Sequence, residues 1–193
     1  PEVAYVAAMG QLWSANNERG LYRTEDFGAT WKRLLYIDDN TGVVDVAMDP
    51  SDPNIIYAAA YQRRRTAFGF NGGGPGSALY KSTDGGTTWR KITKGLPAGD
   101  YGRIGIGIFR GDPRIVYVSV EQGQRYTAST AYEQAEAGLY RSDDRGESFT
   151  QQSTWNPRPM YGSQVIVDPV DPCRIYMINF FSMSTDCGKT SRQ

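Results

Sequence analysis

The sequence predicts an all-β fold, a β-propeller built from four-stranded antiparallel blades, and two repeated elements support that prediction. An octet of the form Ser/Thr-x-Asp-x-Gly-x-Thr/Ser-aromatic recurs about 60 residues apart. Between the octets, an Asp-Pro pair followed by a short apolar run also recurs. Short strands that return in groups of four at a fixed period are typical of propeller blades. A β-sandwich is the alternative, but it predicts no octet at the same point of each unit.

The octets begin at Thr24, Ser82, Ser142 and Ser184. The fourth has Ser191 where the other three have an aromatic residue. We predict that each octet is a tight turn in which the Asp accepts hydrogen bonds from backbone N–H groups and the Gly adopts a positive φ. The aromatic residue is expected to fold under the blade and become buried. The residues given this structural role are Asp26, Gly28, Trp31, Asp84, Gly86, Trp89, Asp144, Gly146, Phe149, Asp186 and Gly188.

The Asp-Pro elements begin at Asp52, Asp112 and Asp171, and Pro1–Tyr5 is similar to them. We name the strands of a blade A to D in chain order. Strand A is predicted at 43–49, 103–109 and 163–168; strand B follows the Asp-Pro turn, strand C ends at the octet and strand D begins at its aromatic residue. The predicted units, all within one propeller or propeller fragment, are 1–36, 37–93, 94–153 and 154–193.

On this division the first unit has strands B, C and D, and the last has strands A, B and C. We therefore expect about four blades, of which the first and last are incomplete. Such an arc exposes sheet edges, so self-association that completes a ring is also expected.

The composition excludes several kinds of active site. The 193 residues include no histidine, so a Ser-His-Asp triad, a Cys-His pair, a zinc site with imidazole ligands and a histidine general base are all excluded. The 21 Lys and Arg residues balance 21 Asp and Glu residues, which argues against binding of nucleic acid or an acidic membrane by bulk charge. We expect no cofactor and no metal ion.

One face of the predicted propeller collects the unusual residues. The B–C and D–A connections of a blade emerge on one face, which we call the loop face, and the octets lie on the opposite one, the octet face. Aromatic rings, guanidinium groups and carboxylates suit a sugar or an extended peptide. For each side chain alone packing or solvation is the better explanation, whereas for the face as a whole ligand binding is. The candidate ligand-binding residues are Trp13, Arg19, Asp38, Asp39, Arg63, Arg64, Arg65, Phe70, Asp100, Arg103, Tyr126, Glu133, Trp155 and Arg158.

Three further features lead to no assigned site. The Gly-rich segment 71–76 lacks the Gly-Lys-Ser/Thr ending of a phosphate-binding loop. Residues 38–42 offer oxygen ligands for calcium, but a polar turn explains them more simply. The only two cysteines, Cys173 and Cys187, are compatible with either a disulfide or two free thiols.

The octets resemble Asp-boxes, also called bacterial neuraminidase repeats. Residues 49–65, 69–89 and 94–109 are similar to the sortilin-type, VPS10-like Asp-box propellers of bacteria. This resemblance implies a propeller whose octets lie opposite the ligand site. It also implies a secreted or periplasmic protein, although the first residues of the chain lack a signal-peptide pattern.

The resemblance implies two functions. The first is non-catalytic recognition of a polypeptide or glycan on the loop face. The alternative is a sialidase-like or xyloglucanase-like glycoside hydrolase that uses carboxylates or a tyrosine. Catalysis would need two carboxyl groups about 5–9.5 Å apart. No catalytic pair can be assigned among the candidates Asp38, Asp39, Asp100, Glu121, Glu133 and Glu136.

Overall fold

The computed structural model describes residues 1–122, 136–156, 161–162, 164–178 and 182–192. These residues form β-strands joined by turns, and they contain no helix, hence none that could span a membrane. The strands are β1 (Ala4–Ala8), β2 (Gly20–Thr24), β3 (Lys32–Leu35), β4 (Thr41–Met48), β5 (Ile56–Gln62), β6 (Arg64–Thr66), β7 (Gly69–Asn71), β8 (Ala78–Ser82), β9 (Arg90–Ile92), β10 (Tyr101–Ile108), β11 (Val116–Gln122), β12 (Gly138–Ser142), β13 (Thr150–Ser153), β14 (Val165–Val167), β15 (Ile175–Met177) and β16 (Ser182–Ser184).

Fourteen of the strands form four antiparallel sheets in chain order, which confirms the predicted propeller fold. Blade I is β1-β2-β3, blade II is β4-β5-β8-β9, blade III is β10-β11-β12-β13 and blade IV is β14-β15-β16. Blades II and III thus have strands A to D, blade I has B to D and blade IV has A to C. A small hairpin, β6-β7, is inserted between strands B and C of blade II.

Neighbouring blades pack face to face. Strand β1 lies against β4, β4 and β5 lie against β10, and β10 lies against β14. Strand β5 illustrates the consequence, because every residue from Ile56 to Tyr61 is fully buried. A strand covered on both faces needs a continuous apolar run rather than alternating apolar and polar residues. The described sheets form an arc in which blades I and IV are not joined.

The octets of blades II and III pack against the blade before them. The ring of Trp89 in blade II packs on the cluster of Leu21 and Leu35 in blade I, and Phe149 of blade III is buried in the core shared with blade II. The prediction that Trp31 is buried is wrong, since it is 44% exposed. The reason is that no other described blade lies against the octet side of blade I.

Candidate functional site

The octet carboxylates are occupied by hydrogen bonds of their own turns. In blade II, Asp84 accepts a hydrogen bond from the Thr88 amide at 2.8 Å, from the Thr88 hydroxyl at 2.6 Å and from the Ser82 hydroxyl at 2.7 Å. The Thr88 hydroxyl and amide, followed by the Ser82 hydroxyl, lower the pKa of Asp84 to about 2. A carboxylate with this many donors is a turn scaffold rather than a proton-transfer group.

The same turn is built in every blade. In the other three octets, the carboxylate likewise accepts a hydrogen bond, at 2.8–2.9 Å, from the backbone N–H of the residue four positions later. These carboxylates belong to Asp26, Asp144 and Asp186. The octet glycines have positive φ, as expected, with 93° at Gly28 and 94° at Gly86. Gly86 also lies so close to Leu34 of blade I that a Cβ would be 2.6 Å from its Cδ1 atom. The glycine therefore meets both a backbone and a packing requirement.

Backbone hydrogen bonds join the loops of the loop face into one surface. The Arg65 amide donates to the carbonyl of Leu12 at 2.9 Å, which ties the β6-β7 hairpin to the B–C loop of blade I. The Gly74 amide donates to the carbonyl of Tyr101 at 3.1 Å, which ties the same insertion to blade III. The hairpin thus spans the middle of the described arc.

The inner side of the hairpin carries a cluster of cations and aromatic rings. Arg65 lies opposite Phe70 across the hairpin, and its guanidinium is 5.0 Å from the Phe70 ring centroid. The Arg63 guanidinium is 5.3 Å from the Phe70 ring and 5.5 Å from the Tyr161 ring. Arg65 also donates a hydrogen bond to the Tyr161 hydroxyl. These cation–π contacts hold Arg63 and Arg65 in place, so they are not a solvated edge.

A groove lies beside the hairpin, on the side of Arg64, and Phe70 borders both this groove and the cluster. The groove has a volume of about 570 Å³ and is lined by Asn40, Gln62, Arg64, Thr66, Gly69, Phe70 and Asn71. Arg64 is exposed, and its guanidinium donates a 3.4 Å hydrogen bond to Asn40 Oδ1. The amide side chains in the lining carry both hydrogen-bond donors and acceptors, and the lining has no Asp or Glu.

Two of the predicted loop-face residues have structural roles instead. Arg19 is only 1% exposed, and its guanidinium donates to the carbonyls of Met9, Gln11 and Ser14. The prediction that Arg19 contacts a ligand is therefore wrong: it holds its own loop from the inside. The half-buried Trp155 packs on the core between blades III and IV.

The aspartates near residue 40 are parts of a turn. Asp38 accepts the Asn40 amide at 2.7 Å and Asp39 accepts the hydroxyl of Tyr36. Among the described residues, no group of three or more Cys, Asp or Glu side chains could hold a metal ion. Both carboxylates accept hydrogen bonds within residues 36–40.

The remaining candidates are distributed around the hairpin. Trp13 is 63% exposed, and Asp100 and Arg103 are half-buried. The Arg103 amide donates to the carboxylate of Glu121 at 2.9 Å, and Glu121 is fully buried. The predicted residues Tyr126, Glu133 and Arg158 lie outside the described part of the chain.

Sequence reasoning missed the neutral polar lining of the groove. Asn40, Gln62, Thr66 and Asn71 are not unusual residue types, and only their positions distinguish them. The sequence held one indication of this groove, the alternation of side-chain direction along a strand. Because of it, Arg64 and Thr66 must point to the side of the hairpin opposite Arg65.

The chain matches known sequences and structures. The BNR-Asp box repeat family matches residues 139–152. A probable oligoxyloglucan-reducing end-specific xyloglucanase of Neosartorya fischeri is 31% identical over 119 residues, which is 58% of this chain and 13% of that protein. Vacuolar protein sorting/targeting protein 10 of Colletotrichum graminicola is 33% identical over 86 residues, which is 45% of this chain and 5% of that protein. The chain thus spans a small part of these curated relatives.

Solved structures share the fold. The GH74 xyloglucanase of Xanthomonas campestris superimposes with a TM-score of 0.65 at 18% identity, over 100% of this chain and 26% of that one. YCF48 bound to D1 peptide superimposes with a TM-score of 0.51 at 15% identity, over 79% of this chain and 39% of that one. These matches show the β-propeller fold, with a BNR-Asp box repeat at residues 139–152, and the described residues form a four-bladed arc.

Proposed function

We propose that this propeller arc is a non-catalytic recognition module that binds a polypeptide in the groove beside the β6-β7 hairpin. The observation that carries the proposal is the lining of the groove, an open depression of about 570 Å³ in which an exposed guanidinium and three amide side chains lie beside Phe70. Extended peptide backbone offers alternating N–H and C=O groups, which amide side chains satisfy in both directions. The cation–π cluster on the inner side fixes the hairpin that forms the groove wall, so little ordering entropy is lost on binding.

Two relatives support a polypeptide ligand. The sequence relative from Colletotrichum graminicola is a protein-sorting factor by name, and the YCF48 structure contains a bound peptide. The xyloglucanase relative favours a glycan instead, and hydroxyl groups also pair with amides and Arg. Hydrolysis is the less supported alternative, because two carboxyl groups would have to flank the scissile bond and the described lining of the groove has none.

The test is a peptide array and a glycan array that includes xyloglucan oligosaccharides, probed with the wild-type chain and with Arg64→Ala. Arg64 is the groove cation that is exposed and not engaged in the cation–π cluster. We expect peptide binding that falls about tenfold in Arg64→Ala, as for loss of a charged hydrogen bond. The matched control is Arg110→Ala, which removes an exposed guanidinium from the opposite face.

Three outcomes would contradict the proposal. Equal binding by Arg64→Ala and wild type would show that the ligand does not bind in the groove. Binding restricted to glycans would show that the ligand is a glycan and not a polypeptide. Release of reducing ends from xyloglucan would show that the protein is a hydrolase.

A further inference from the structure

A carboxylate is held between blades II and III on the octet face. Glu147, from the octet of blade III, accepts a 2.6 Å hydrogen bond from the Lys81 amine and also pairs with the Arg90 guanidinium. Lys81 is only 3% exposed, and its amine also binds the carbonyl of Arg145 at 2.6 Å. Two cations of one blade thus share one carboxylate of the next.

The repeat places an equivalent pair of cations between blades I and II. Arg23 occupies the position of Lys81 at the end of Leu-Tyr-Arg/Lys, and Lys32 occupies the position of Arg90 after the octet aromatic residue. The equivalence is also geometric: Arg23 lies 5.7 Å from the Tyr5 ring, as Lys81 lies 5.7 Å from the Tyr57 ring.

The acidic partner is replaced at this junction. The residue of blade II that corresponds to Glu147 is Thr87, and the one that corresponds to Arg145 is Gly85. These smaller residues border a cavity of about 370 Å³. Its lining consists of Arg23, Glu25, Asp26, Thr30, Lys32, Leu34, Gly85 and Thr87.

The acids already in the lining leave the two cations largely available. Asp26 is engaged by Thr24 and Thr30, whose hydroxyls donate at 2.7 and 2.6 Å. Glu25 pairs with Arg23 at 2.7 Å but is 68% exposed, so solvent and salt weaken that contact. The Nε atom of Arg23 is buried and has no hydrogen-bond partner in the described structure.

We infer that this cavity binds a carboxylate group, which takes the place that the Glu147 side chain has at the next junction. The cations would make charge-assisted hydrogen bonds to it. Two sources can supply this group, a free dicarboxylate anion or the side chain of a Glu in a partner polypeptide. The site is on the octet face, so it does not depend on the groove of the loop face.

The test is a titration followed by amide NMR at low salt, with glutarate as the free anion and N-acetyl-glutamate α-amide as the side-chain probe. We expect saturable shifts at the amides of Arg23, Gly85 and Thr87 with at least one probe, and the tighter one identifies the source. Arg23→Gln should weaken binding about tenfold. Glu25→Gln should strengthen binding a few-fold, because it removes a competitor for Arg23.

The decisive variant is Thr87→Glu, which restores the acid found at the next junction. It should abolish the titration shifts because its own carboxylate occupies the cations. Thr93→Glu is the matched control, since it adds the same charge at an exposed site on the loop face and should bind as the wild type does. Absence of saturable shifts with both probes, or unchanged binding by Thr87→Glu, would overturn the inference.

Discussion

The amide of Cys187 donates a 3.0 Å hydrogen bond to the carbonyl of Cys173, and a disulfide joins the same two residues. Of the two alternatives left by the sequence, the structure has the disulfide. The hydrogen bond is not peculiar to the cysteines, because the Asp-Pro turn and the octet are tied in the same way in the other blades. The equivalent bonds join Gly85 to Asn54 at 3.0 Å, Arg145 to Arg114 at 2.9 Å and Phe27 to Glu2 at 3.2 Å. Blade IV therefore adds a covalent bond to a contact that the fold already makes.

Reduction of this disulfide should destabilise the chain. The cysteines are 14 residues apart, and closing a loop of that size in the unfolded state is worth about 3 kcal/mol. We expect a loss of about 2–3 kcal/mol in the free energy of unfolding, measured by urea titration with and without a phosphine reductant. The double variant Cys173→Asn/Cys187→Gly copies the pair in blade II and should be insensitive to the reductant. Two free thiols in the unreduced protein would contradict the assignment.

Phe27→Gly should stabilise the protein. Phe27 has φ of 59° and its side chain is 78% exposed, while Gly85 occupies the same position in blade II. Relief of the clash between Cβ and the backbone, worth about 1–2 kcal/mol, exceeds the entropic cost of a glycine, so we expect a net gain of about 0.5–1 kcal/mol. Phe27→Ala is the control, because it removes the ring but keeps Cβ. An equal gain in both variants would assign the effect to the exposed ring instead.

Ser82→Ala should destabilise blade II through one buried hydroxyl. Ser82 is 2% exposed; its hydroxyl donates to Asp84 and accepts the Gly86 amide at 2.8 Å. Its removal leaves that buried amide without a partner, at a cost of about 1–3 kcal/mol in the free energy of unfolding. The neighbouring exposed Thr83→Ala should change it little. Equal urea midpoints for the two variants would show that the hydroxyl contributes nothing.

The fold was predictable because its signal is periodic. The octet and the Asp-Pro element mark the same two turns of each blade, and the apolar runs between them have the length of strands. The exposure of Trp31 escaped prediction, since a repeat shows what each unit contains and not which neighbour covers it.

The sequence predicted which residues lie on the loop face but not which of them contact each other. Arg65 and Tyr161 are in contact although 96 residues separate them in the chain, and no local pattern joins them. Arg19 was misjudged because a guanidinium is usually exposed. Its burial depends on the path of residues 9–14, whose carbonyls converge on it.

Arg19→Lys should loosen the B–C loop of blade I. The Arg19 guanidinium reaches three carbonyls of the loop from a fully buried position, whereas an ammonium group cannot span them with the same planar geometry. We expect a loss of about 1–3 kcal/mol in the free energy of unfolding and faster amide hydrogen exchange at Gln11 and Ser14. Arg110→Lys, at an exposed position, is the control. Unchanged exchange in Arg19→Lys would show that the loop is held by other contacts.

The octet carboxylates should make the fold sensitive to acid. The pKa of Asp84 is lowered to about 2 by Thr88 and then Ser82, and that of Asp26 is lowered to about 2 by Thr30 and then Thr24. The pKa of an Asp in the unfolded chain is about 3.9. The stabilisation by the hydrogen-bonded carboxylates is therefore fully present above about pH 4 and is lost as the pH falls towards 2. We therefore expect the urea midpoint to fall across that window.

Asp84→Asn tests this assignment, because an amide has one acceptor oxygen where the carboxylate uses two. The variant should be less stable than the wild type at pH 7, and the difference should shrink towards pH 2.5, because the carboxylate of the unfolded chain is then protonated and the pH approaches the lowered pKa of the folded one. Glu136→Gln, at an exposed carboxylate outside the octets, should follow the wild-type curve throughout. If the difference between Asp84→Asn and wild type stayed constant from pH 7 to 2.5, the octet carboxylates would not be the source of the acid sensitivity.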